Sequence, residues 1–120
     1  MLRLPPEMFD AAVEEALTAI PKDIRAHLEN LVITVEEEPS PEDLAALGMD
    51  EDDLMLGLYH GTPLPEREVT SYSGLPDRIV IYRLPLLEVC ETRRELLREI
   101  RHTVIHEIGH YFGFGEEELP

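Results

Sequence analysis

The stretch from Thr92 to Phe112 constrains this chain more than any other, because its apolar residues keep helical spacing for about five turns. Leu97, Ile100, Val104, Ile108 and Tyr111 fall at i, i+3, i+4 and i+7, so they line one side of an α-helix. Thr92 and Glu95 give the T-x-x-E capping box that starts such a helix, and Gly113 stands where its C-terminal cap belongs. A helix this long needs an extended apolar surface to cover its stripe. The remaining chain must therefore supply that surface.

The rest of the sequence can do so. Leu31 to Val35 is short and rich in β-branched residues and reads as a strand, and Leu54 to His60 and Arg78 to Arg83 read as a second and a third. Phe9, Ala12, Val13, Ala16, Leu17 and Ile20 mark an N-terminal helix that opens at Pro5-Pro6 and stops at Pro21. A second short helical piece is expected around Ile24, His27 and Leu28. Ser40-Pro41-Glu42-Asp43 is a helix start, with Gly48 as a left-handed cap after about two turns. Asp50 to Asp53 is an acidic loop without the spacing of a calcium loop, and Gly61 to Pro76 reads as a long loop or loose hairpin. The expectation is one α+β domain over residues 1–120, with a small mixed sheet of 3–4 strands. The N-terminal and C-terminal helices pack on that sheet.

The long helix carries a chemical motif. His106-Glu107-Ile108-Gly109-His110 is H-E-x-x-H, and residues i and i+4 stand one turn apart on one face, so both imidazoles can reach a single cation. Zinc accepts imidazole nitrogen in tetrahedral geometry, and Glu107 is placed to take a proton from a water that zinc has acidified. On a helical wheel His110 lies within about 40° of His106, while the apolar stripe centres about 160° away. The histidines are therefore expected to face away from the sheet. Gly113 can turn the chain back, and Glu116 three residues later can bring a carboxylate to the same metal. Glu117 and Glu118 compete for that place, and register favours Glu116.

Other candidates carry less. His102 pairs with His106 at i, i+4 but lacks the adjacent glutamate, and reads as a surface residue or as one supporting a ligand. Glu99 reads as solvated, His60 as a loop histidine and His27 as structural. Cys90 is the single cysteine, which excludes an internal disulfide and a thiolate cluster, and it reads as a small buried hydrophobe.

Charge narrows the partners. There are 26 acidic and 10 basic residues, a net charge of −16, which repels phosphate backbones and anionic lipid. Nucleic acid and membrane are excluded as expected partners, and a metal cation or a basic peptide suits the field. The N-terminus has no apolar run of a signal peptide and no segment reaches the length of a membrane span, so the cytoplasm is the default location.

On the motif from His106 to Gly113, the chain resembles the small bacterial zincin-like metallopeptidases, described as minimal metzincin-like proteins. Upstream text shares the resemblance: Leu56 to Arg67, Leu75 to Arg83, and Val35-Glu36-Glu37-Glu38-Pro39. The resemblance implies zinc ligands at His106 and His110 and a catalytic glutamate at Glu107. The family typically has aspartate where this chain has Glu116. All four methionines lie upstream of the helix, so the methionine turn of true metzincins is missing. The expected function is a zinc-dependent peptidase, with the Arg78–Arg83 strand as the edge along which a peptide lies. The alternative is a metal-binding or protein-interaction domain that keeps the zincin frame without turnover.

Overall fold

The computed structural model describes residues 1–26, 28, 31–50, 54–61 and 77–112. Helix α1 runs Pro6–Thr18, and proline at its first position costs no hydrogen bond because that N–H has no partner within a helix. Phe9, Ala12, Val13 and Ala16 form its buried stripe. The short α2, Lys22–Arg25, leads toward strand β1, Leu31–Glu36. Helix α3, Pro41–Ala46, is capped by the Ser40 side chain, which accepts the Asp43 N–H at 3.1 Å. Gly48 follows with φ +71°, the left-handed cap its position called for.

Strands β2, Gly57–His60, and β3, Asp77–Tyr82, complete a three-stranded sheet in the order β1-β3-β2. β3 is parallel to β1 and antiparallel to β2, so it is the central strand. The expectation that this strand forms the sheet edge is overturned, since both of its sides are paired. Among the described residues the edges are β1 and β2. Its composition fits the centre, because Ile79, Val80, Ile81 and Tyr82 are all buried and a central strand has both faces covered.

The two faces meet different partners. Ile79 and Ile81 look into the main core, where α1 and helix α5, Arg93–Tyr111, pack together. Val80 and Tyr82 look the other way, into a small cluster with Leu44 of α3 and Met55. α5 is capped as its sequence dictates, with the Thr92 hydroxyl accepting the Glu95 N–H at 3.1 Å. Leu96, Ile100, Val104, Ile108 and Tyr111 carry its buried stripe.

Helix α4, Arg83–Val89, has no counterpart in the sequence reading. Pro85 suggests a break there, yet at the third helical position its missing N–H is one that a first turn leaves unbonded anyway. Burial of Pro85, Leu86 and Leu87 holds the helix. Arg83 fixes its start with two bonds to the Glu37 carboxylate, Nε to Oε1 at 2.8 Å and Nη2 to Oε2 at 2.6 Å. No described helix is long and apolar enough to cross a membrane.

Candidate metal centre

The last turns of α5 bring the motif together. His106 and His110 stand one turn apart, with ring centroids 5.1 Å apart, and both are half-buried. Glu107 lies between them in sequence, and one ligand atom from each of the three falls within 4.8 Å of the others. Two imidazoles and a carboxylate in that space are a donor set that suits zinc, so the residues fit the ion.

Glu107 is not a solvated side chain. Only 7% of it is exposed, and its Oε1 accepts the main-chain N–H of Tyr59 at 2.9 Å. The register explains why that N–H is available. Tyr82 donates to the Leu56 carbonyl, so residues 56, 58 and 60 turn their main-chain groups toward β3. Gly57 and Tyr59 turn theirs outward, and the outer edge of β2 faces the helix that carries the histidines.

Gly57 makes this approach possible. A Cβ there would overlap the Thr103 methyl, sit 3.1 Å from the Val80 carbonyl oxygen and lie 3.9 Å from Cγ of Glu107. The glycine is needed for space, because α5 crosses β2 at this point. Tyr59 is fastened beside it. Its hydroxyl donates to Oδ2 of buried Asp77 at 2.6 Å, and its ring meets Tyr111 edge-on at 6.0 Å between centroids.

A model of the zincin-like metallopeptidases matches residues 28–120 of the sequence. The chain belongs to the zincin-like metallopeptidase family. A conserved hypothetical protein from Thermus thermophilus is similar in structure, with a TM-score of 0.59 at 25% identity, covering 89% of this chain and 92% of that one. No curated protein matches the chain. As a zincin-like protein it carries the zinc expectation of its family, and His106, Glu107 and His110 form the group that could hold a metal.

The remaining candidates scatter. His102 lies one turn before His106 with its ring 6.4 Å away and is exposed. His60 is on the opposite face of the sheet, where its Nε2 lies 3.8 Å from Oδ2 of Asp43 on α3. Cys90 is buried, and burial pushes its thiol pKa up, away from a reactive thiolate. His27, Gly113, Glu116, Glu117 and Glu118 lie outside the described residues. Sequence reasoning passes over Gly57, Tyr59 and Asp77 as parts of the site. The available signal is the alternation Gly57-x-Tyr59-x-Gly61, which puts two glycines and a tyrosine on one face of a strand.

Proposed function

We propose that this protein is a zinc-dependent peptidase in which His106, His110 and Glu116 hold the metal and Glu107 is the general base. The single observation that carries the reading is the convergence of His106, Glu107 and His110 within 4.8 Å, with Glu107 aimed at the edge strand. A zinc ion held there supplies Lewis acidity, which polarises a carbonyl and eases deprotonation of water near neutral pH. Glu107 takes the proton of the attacking water and gives it to the leaving amine nitrogen, so that one peptide bond and one water become a carboxylate and an amine. The outer edge of β2 is where an extended substrate backbone comes alongside the helix. With a net charge of −16, the field favours peptides with basic side chains.

The test is cleavage of a basic peptide library by the zinc-loaded protein beside Glu107→Ala. Cleavage by the wild type that falls by about 100-fold or more in the variant supports the reading. Equal cleavage by both, or none by either, contradicts it.

One observation favours a second reading, a metal-binding domain of the zincin frame without turnover. Glu107 lies within ligand distance of both histidines, so it is placed to close the coordination shell as a ligand. In that case Glu107→Ala weakens zinc binding as strongly as His110→Ala does. As a base, Glu107 leaves the affinity nearly unchanged.

A further inference from the structure

The motif accounts for three residues of α5, but the strand facing it carries as much order. Tyr59 is held from three directions: its phenol by Asp77 at 2.6 Å, its ring by Tyr111 at 6.0 Å, and its main chain by pairing of β2 with β3. Its outward N–H then ends on Glu107 Oε1 at 2.9 Å. The two glycines that flank it on the same face clear the way. Gly57 admits α5, and a side chain at Gly61 would collide with Asp77 Oδ1 and stand 2.8 Å from the Tyr59 hydroxyl. Gly61 has φ +153°, where an L side chain is also strained.

We infer that Tyr59 and Asp77 are positioning residues for Glu107: the phenol–carboxylate bond fixes the strand so that the Tyr59 N–H holds one oxygen of the Glu107 carboxylate and thereby sets the direction of the other. The inference deepens the peptidase reading and rests on Glu107 as its base. Its physical reason is that a base must be held to a fraction of an ångström. A long side chain such as glutamate keeps a single pose only when a donor with no freedom of its own fixes it. A main-chain N–H on a paired strand is such a donor. Asp77 is 5% exposed, and a carboxylate so buried is retained where it accepts strong hydrogen bonds. The same contact occupies the N–H at the middle of the β2 edge.

The experiment follows the Tyr59 amide by nuclear magnetic resonance in labelled protein, beside steady-state kinetics on the best-cleaved basic peptide. In the wild type the Tyr59 amide proton resonates far downfield and exchanges slowly. Glu107→Ala moves it upfield and speeds its exchange by about tenfold, the loss of one charge-assisted bond. Tyr59→Phe, which deletes only the hydroxyl, moves it in the same direction and lowers kcat by about 10–100-fold with KM unchanged. Asp77→Leu reproduces Tyr59→Phe. Asp77→Asn keeps an oxygen acceptor for the phenol and restores most of the amide shift and of kcat. An amide signal indifferent to Glu107→Ala overturns the inference. So does a Tyr59→Phe protein that is less stable yet keeps the wild-type kcat. If the wild type cleaves no peptide, the peptidase reading falls and the amide measurements alone decide whether Tyr59 and Asp77 hold the Glu107 carboxylate.

Discussion

Replacing Gly57 by alanine places a methyl group where α5 crosses β2. The new Cβ would overlap Thr103 Cγ2, well inside the ordinary carbon–carbon separation of about 3.5–4.0 Å. The Val80 carbonyl oxygen at 3.1 Å blocks retreat toward β3. Thr103 is 6% exposed and on a helix, where threonine is confined to two side-chain rotamers, so close packing leaves its methyl little room to move. Strand and helix must part, and overpacking of this kind costs about 1–3 kcal/mol. Against it stands a gain of about 0.4–1 kcal/mol from stiffening the unfolded chain. The net expectation is a loss of about 1–2 kcal/mol in urea unfolding. Thr103→Ser deletes the offending methyl and keeps the hydroxyl. The double variant Gly57→Ala/Thr103→Ser should therefore recover most of the loss, which a double-mutant cycle reads as coupling between the two sites. A Gly57→Ala protein as stable as the wild type would refute the argument that glycine is required there for close approach. Failure of Thr103→Ser to restore stability would locate the strain elsewhere.

Three other predictions concern the frame. Thr92→Ala removes the acceptor for the Glu95 N–H and should destabilise the protein by about 0.5–2 kcal/mol in the same assay. Burial, with Asp43 and Glu36 nearby, pushes the Tyr82 pKa up from 10.0 to about 12. The unfolded chain then releases this proton first, so stability holds below pH 10 and declines by about 2–3 kcal/mol as pH rises toward 12. That slope is absent in Tyr82→Phe. Arg83, through its hydrogen bond, holds the Glu37 carboxyl below its ordinary 4.5. The contribution of Glu37 is present above that value and fades as pH falls through the lowered pKa, so the stability gap between wild type and Glu37→Gln should close on acidification.

What can be read from the sequence is whatever depends on neighbours in the chain. The caps at Ser40, Gly48 and Thr92 and the stripe from Ile100 to Tyr111 are local, and the structure has them where spacing puts them. The i, i+4 histidines are equally local, and helix geometry alone brings them together. The order of the strands is different. Nothing within Asp77–Tyr82 says that it pairs on both sides, apart from the run Ile79 to Tyr82 without a charged residue, so the sequence reading places at an edge a strand that lies at the centre. Helix α4 escapes that reading because Pro85 breaks a helix in most positions but not in a first turn. Tyr59 and Asp77 are 18 residues apart, and their bond needs the antiparallel register of β2 on β3.

The central claim is that His106 and His110 share one zinc ion. The most direct measurement is zinc content and affinity of the purified protein, stripped and reloaded, beside His106→Ala and His110→Ala variants whose circular dichroism matches the wild type. The account predicts one zinc per chain, lost from either variant by an affinity drop of about 100-fold or more. A wild type that binds no zinc, or variants that bind it as tightly as the wild type does, would contradict it.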